Sequence, residues 1–234
     1  MPCWQPKVRV LVSKINTLQL IFDSRLVAIV RLDDLSCAQE LTQSLLSGGI
    51  KAIELTLTNS ETPQEVERLR ACIPEFSTGQ AALGVGSVRS LQEARIAINC
   101  GAQFLVAPIC QPQVIEHAVN AGVVVCPGAY TPTEAALAHS LGADLVKIFP
   151  ARTLGSGYIK DILAPMPHLK LMPTGGIDLT NLQDYINAGA MAVGVGGQLV
   201  NSKWIEQRDW TRVTRVARDY SLCASMRCNL SESD

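Results

Sequence analysis

The chain has 234 residues, 47% hydrophobic and 18% charged, enough apolar surface for a sizeable core and too much for a disordered polymer. Its 20 basic and 21 acidic residues are mixed along the chain and leave a net charge of -1, so no broad basic face follows a nucleic-acid backbone. Aromatic residues, at 5%, are too few for a base-stacking platform.

The first segment, KVRVLVSKINTLQLIF, has its apolar residues broken by Lys14, Asn16 and Gln19. It lacks the uninterrupted apolar centre of a secretory signal and predicts an amphipathic helix over Val8 to Phe22. Lys7, Arg9 and Lys14 precede the first acidic residue, Asp23, which leaves an organelle-targeting segment as the lesser alternative. Eight short apolar runs follow, at Leu26–Arg31, Ala52–Leu57, Ala82–Gly86, Phe104–Ala107, Val123–Cys126, Leu145–Phe149, Leu171–Thr174 and Ala192–Gly196. Several are preceded by a helix-like segment ending in Gly, as in SGGIKAIELTL, NCGAQFLVAP, NAGVVVCPG, SLGADLVKIFP and NAGAMAVGVGG. Gly suits the left-handed residue just past a helix C-terminus, so the pattern reads as a repeated β/α unit.

Strands that are apolar throughout need cover on both faces, as in a parallel sheet wrapped in helices. Eight such units predict one (β/α)8 TIM barrel with an extra N-terminal helix covering its bottom. The runner-up, a doubly wound open sheet, lacks a GxGxxG turn after its first strand. The expected organisation is a single domain over 1–234: helix about 8–22, barrel about 26–222 and a polar tail, CNLSESD, about 228–234. No run reaches the roughly 18 apolar residues of a membrane helix. Eight cysteines without CxxC pairs read as reduced, mostly buried thiols of a cytoplasmic protein.

Chemistry in such a barrel sits at the carboxyl ends of the strands, so polar residues there are the candidates. Lys147 stands inside GADLVKIFPA with apolar neighbours and no acidic residue within two positions. Its stem packs while the ammonium snorkels to water, or the amine is desolvated, its pKa falls, and it attacks a carbonyl. Glu54, between Ile53 and Leu55, is either the ion-pair partner of Arg31 or Lys147, or a general acid/base with a raised pKa. The turns TGG (Thr174 to Gly176) and GVGG (Gly194 to Gly197) follow the last two strands. Their backbone N–H groups, aided by a helix opening after TGG, suit a phosphate. The three histidines, His117, His139 and His168, are read as isolated, and no metal-ligand spacing occurs.

The stretches VAIVR, GIKAIELTL, GVGSV, VVVCPGAYTPTEA, GADLVKIFPA, PTGGI and VGVGG resemble, in this order, the class I aldolases acting on 2-keto-3-deoxy-6-phosphogluconate, its galactonate epimer and 4-hydroxy-2-oxoglutarate. That resemblance implies a Schiff base on Lys147 and acid/base work by Glu54. It further implies Arg31, Ser87, Pro108, Thr174, Gly175, Gly176, Gly196 and Gly197 as substrate-binding positions. A homotrimer, a small, phosphorylated 2-keto acid as substrate, and no cofactor or metal follow from it too. One position departs: gluconate-type members commonly carry Arg four residues after the catalytic Glu, where this chain has Thr58, followed by Asn59 and Ser60. Galactonate-type members also lack that Arg and place Asn-Ser nearby. The leading expectation is cleavage of 2-keto-3-deoxy-6-phosphogluconate to pyruvate and glyceraldehyde 3-phosphate. The alternatives are the galactonate epimer, 4-hydroxy-2-oxoglutarate, a phosphosugar epimerase or isomerase, and a non-catalytic sugar-phosphate binder.

Overall fold

The computed structural model describes residues 13–226. The helix expected at the N-terminus runs Lys14–Ser24, with the Ser13 side chain accepting from the Asn16 N–H as its cap. The expected start at Val8 and the polar tail lie outside the described residues.

All eight expected strands form, most of them shorter at one or both ends. They are β1 Leu26–Val30, β2 Ala52–Thr56, β3 Ala82–Gly86, β4 Phe104–Val106 and β5 Val124–Cys126, then β7 Val146–Ile148, β8 Leu171–Pro173 and β9 Val193–Val195. The additional strand, β6 Gly128–Ala129, is the continuation of β5 beyond Pro127. Proline has no N–H to give to a ladder, and the run changes partner there: β5 pairs with β4, β6 with β7. The expected uninterrupted ladder of eight strands is thus replaced by two parallel ladders, β5-β4-β3-β2-β1-β9 and β6-β7-β8.

Hydrogen bonds cross both seams. The Asp144 N–H donates to the Val125 carbonyl at 3.1 Å, the Met191 N–H donates to the Leu171 carbonyl at 2.9 Å, and a parallel bridge pairs Thr174 with Gly194. The architecture is an α/β fold, a central parallel sheet flanked by helices, and it is TIM-barrel-like. Five glycines of the repeated helix-to-strand pattern, Gly49, Gly101, Gly122, Gly142 and Gly189, all have positive φ, as that pattern requires.

Side chains alternate along each strand, and the two faces bury different sets. One face meets the helices through Leu26, Ala28, Val30, Ile53, Leu55, Val146 and Ile148. The other forms an apolar floor from Val27, Ala52, Ala82, Phe104, Val124, Leu145, Met172 and Ala192, closed by Ile21 with Leu18 and Phe22 of the first helix. That helix is held in place by the Lys14–Asp144 ion pair at 2.9 Å and by Asn16 Nδ2 donating to the Gly79 carbonyl at 2.9 Å. Phe104 fits this floor because β3 carries Gly84 opposite it, where a Cβ would run into the ring. The last helix, Trp210–Ser225, completes the outer layer against Ala38–Ser47, with Thr214 Oγ1 donating to the Ser44 carbonyl at 3.2 Å. Among the described residues no helix is long and apolar enough to cross a membrane. Of the six described cysteines, Cys37, Cys100 and Cys126 are buried, whereas Cys72 is exposed and Cys110 and Cys223 are half-buried, so the expected burial holds for half of them.

Candidate active site

Two residues beyond the floor, the same face of the strands turns polar. Ala52 is followed inward by Glu54 and then Thr56, and Leu145 by Lys147 and then Phe149. A cavity of about 750 Å³ opens there, and all ten residues singled out from the sequence line it: Lys147, Glu54, Arg31, Ser87, Pro108, Thr174, Gly175, Gly176, Gly196 and Gly197. Sequence reasoning did not place Phe149, Arg89, Arg152 or Gln198 among the site residues, and read Thr58 only as a departure from the gluconate-type pattern. Alternation carried the signal for Phe149, two residues past Lys147, but not for Arg89, which lies beyond the end of β3 after Ser87 has turned the chain with φ of 61°.

Lys147 is 7% exposed, which sets aside a snorkelling role. Its Nζ lies 4.8 Å from the centroid of the Phe149 ring, a distance at which the ring face stabilises the ammonium. Glu54 is 1% exposed. The ion pairs among the described residues are Lys14–Asp144, Arg68–Glu65 and Arg89–Glu93, so Glu54 forms none with Lys147 or Arg31. Its Oε2 is buried without a hydrogen-bond partner among the described residues. Burial pushes the Glu54 carboxyl above the usual carboxylate range, against the smaller, opposing pull of the Lys147 and Arg31 charges. The neutral acid is thereby favoured, with a cation close enough to help it ionise.

Space for this carboxyl comes from Gly86 on the neighbouring strand, where a Cβ would fall on the carboxylate. Gly86→Ala should displace it, and turnover should fall by about 100-fold, the scale of a misplacement near 1 Å. A circular-dichroism spectrum like that of the wild type would confirm that the fold is kept, and an unchanged kcat would show that the carboxyl position does not matter. Cys126, also on the inner face, has its thiol pushed up by burial, so it stays protonated and does not compete as a nucleophile.

The rim is rich in anion-binding groups. Arg31, Arg89 and Arg152 line the cavity with Lys147, against the single carboxylate of Glu54. Gly175 and Gly176 have φ of 94° and 81°, a conformation that favours glycine. The N–H groups of Gly176, Gly197 and Gln198 enter no hydrogen bond among the described residues. The expected helix directly after TGG is absent: the chain first makes a turn, in which Asn181 Nδ2 donates to the Gly176 carbonyl at 2.9 Å, and the helix Leu182–Asn187 starts later. Asp178 and Asn181 side chains bind the local backbone, an alternative to helix that Asp and Asn commonly offer. The groups this rim could offer an anion are therefore backbone N–H groups and guanidinium rather than a helix end. Ser87 is a non-glycine residue with φ of 61°, a sparsely populated conformation that clusters at functional sites.

The histidines are not all isolated as expected: the His139 and His168 rings meet with centroids 4.8 Å apart, because the helix Pro132–Ser140 and the loop before β8 come together. Among the described residues no group of three or more His, Cys, Asp or Glu side chains is placed to hold a metal ion.

A buried amine and a carboxyl biased toward its neutral form, sharing an anion-collecting cavity at the carboxyl ends of parallel strands, are what a lyase working through a lysine Schiff base requires. Fold and site place the chain in that class of enzyme. Comparison with known proteins narrows it: the family model for KDPG and KHG aldolase matches residues 18–216, and the chain belongs to this family. It is 31% identical over 195 residues to the 2-dehydro-3-deoxy-phosphogluconate aldolase of Treponema pallidum, covering 83% of this chain and 90% of that one. It is 32% identical over 178 residues to the 2-dehydro-3-deoxy-6-phosphogalactonate aldolase of Escherichia coli, covering 76% and 85%. A solved structure described as native KDPGal superimposes with a TM-score of 0.77 at 26% identity, over 96% of this chain and 100% of that chain.

Proposed function

We propose that the chain cleaves 2-keto-3-deoxy-6-phosphogluconate to pyruvate and glyceraldehyde 3-phosphate. The observation that carries this reading is the shared cavity of Lys147 and the partnerless Glu54 carboxyl, ringed by three arginines. The Lys147 amine attacks the C2 carbonyl, and Glu54 protonates the hydroxyl of the carbinolamine, which leaves as water and gives the iminium. Removal of the C4 hydroxyl proton then lets the C3–C4 bond break, its electron pair flowing into the iminium to form an enamine while the aldehyde departs. Protonation at C3 and hydrolysis release pyruvate and the free lysine. The mechanism needs Glu54 to give and take protons near neutral pH, and its raised pKa supports that role.

Arg152 and the N–H groups of Gly176, Gly197 and Gln198 would hold the phosphate. Gly176 packs tightly under Arg152, where a Cβ would meet the arginine's own Cβ at 2.5 Å. Arg152→Ala should raise KM for the phosphorylated substrate roughly 10- to 100-fold, the weight of a charge-assisted hydrogen bond, and leave the unphosphorylated analogue nearly unchanged. An equal effect on both substrates would remove Arg152 from the phosphate site.

A second reading, the galactonate epimer as substrate, is favoured by Thr58, which lines the cavity and shares a 2.7 Å hydrogen bond with Thr56. Parallel turnover assays with the two epimers decide between them, and faster cleavage of the galactonate would overturn the gluconate assignment. The reading also takes the chain as a single barrel domain closed at both seams, which the bonds between Met191 and Leu171 and between Asp144 and Val125 support.

A further inference from the structure

Thr58 leaves a gap in the electrostatics of the cavity. A 2-keto acid carries its carboxylate directly beside the carbonyl carbon that Lys147 attacks, and a carboxylate taken into a half-closed cavity needs charged or hydrogen-bonding partners. The loop after β2 presents to the cavity the hydroxyl of Thr58, already engaged with Thr56 Oγ1. Three guanidinium groups line the cavity, and their places in the strand order give them different tasks.

Arg152 follows β7 and packs on Gly176, at the glycine turn after β8. Arg31 ends the run of β1, which lies between β9 and β2, and its charge acts on Glu54. Arg152 thus stands at the glycine turns that would hold the phosphate, and Arg31 between those turns and the Glu54 carboxyl. Arg89 is elsewhere. It follows β3 by way of Ser87, and β3 lies three strands from β9 in the order β3-β2-β1-β9. It is also next to β2, with Thr56 and Gly86 in register, so the loop carrying Arg89 leaves the sheet beside the loop carrying Thr58. A guanidinium absent after β2 is present after the adjacent strand.

Arg89 already holds a carboxylate. Its Nη2 lies 2.7 Å from Glu93 Oε1, with the arginine side chain 63% exposed. Glu93 has a second task at the start of the helix Leu91–Asn99, where its carboxylate also accepts from the Arg89 backbone N–H and its own N–H donates to Ser90 Oγ. Glu93 thus stays in place if the guanidinium leaves it. An exposed pair four residues apart contributes little to stability, so exchanging Glu93 for a substrate carboxylate costs little.

We propose that Arg89 binds the C1 carboxylate of the substrate, exchanging Glu93 for it, and so selects 2-keto acids over uncharged ketones. This rests on the aldolase reading, because C1 is placed by the bond between C2 and Lys147. With C2 on Lys147, the C6 phosphate points to the glycine turns after β8 and β9, and C1 points away from them, toward Ser87 and Arg89.

The test is borohydride trapping on Lys147, read by mass spectrometry, across a concentration series of pyruvate and of its uncharged analogue pyruvamide. The wild type, Arg89→Ala and Arg89→Lys are compared, with melting curves to show that each is folded. The half-saturating pyruvate concentration should rise roughly 10- to 100-fold in Arg89→Ala and recover in part in Arg89→Lys, while the pyruvamide series should not move. A pyruvate series within twofold of the wild type, or an equal shift for pyruvamide, overturns the carboxylate site while the aldolase reading stands. A wild-type chain that pyruvate does not trap overturns both.

Discussion

Lys147→Met should lose turnover by at least about 10⁵-fold, because removing the nucleophile leaves only binding and electrostatics to act. Borohydride with pyruvate should mark Lys147 in the wild type and no residue in the variant. Methionine keeps most of the side-chain volume while removing an ammonium from a site that is 7% exposed, so the melting temperature should hold or rise. The fold therefore reports separately from the chemistry. Turnover retained in a folded Lys147→Met protein would dismiss the Schiff base and favour an epimerase or isomerase using Glu54 as base.

Glu54→Gln should lower kcat by about 10²- to 10⁴-fold, the usual weight of general acid/base catalysis, while a slow imine still forms and can be trapped. Its effect on stability runs the other way. Burial raises the folded-state pKa of Glu54, with the Lys147 and Arg31 charges opposing. Between the ordinary carboxylate pKa and the raised one, the folded chain binds a proton that the unfolded chain has released, so wild-type stability falls as pH rises through that window. Below about pH 4 both states are protonated at this group and the variant should match the wild type. Above the folded-state pKa the variant should be the more stable, by a margin that no longer grows. Melting curves over pH check this, and a constant difference at all pH values would show that the carboxyl does not titrate differently on folding. A variant as fast as the wild type would make Glu54 a structural residue.

The sequence alone made most of this site legible, and Lys147 and Glu54 show why. A strand buried on both faces is apolar throughout, so a charge in its middle stands out without knowledge of any partner. Alternation then assigns Lys147 to the face shared by Leu145, and Glu54 to that of Ala52. The helix-terminal glycines and the eight runs are similarly local signals, set by φ and by side-chain period. Pro127 was visible too, but its consequence was not: a missing N–H breaks a ladder only where a particular neighbour would have received it, and β5 and β6 differ in that neighbour.

What the tertiary structure decided is which of these signals meet. β9 joins β1 from across almost the whole chain, while the pairing of β1 with β2 sets Ile29 beside Glu54, and Arg31 thereby reaches Glu54 electrostatically. Arg89 sits in a polar loop and looks like any surface arginine with a Glu four residues on; only the register of β3 against β2 sets its loop next to the loop of Thr58. The turn that replaces a helix after Gly176, and the meeting of His139 with His168, likewise depend on segments arriving from elsewhere. Burial and side-chain period are written residue by residue. Strand order, loop direction and the company a charge keeps depend on contacts distant in sequence, so local pattern identified the reacting lysine and long-range packing assembled the cavity around it.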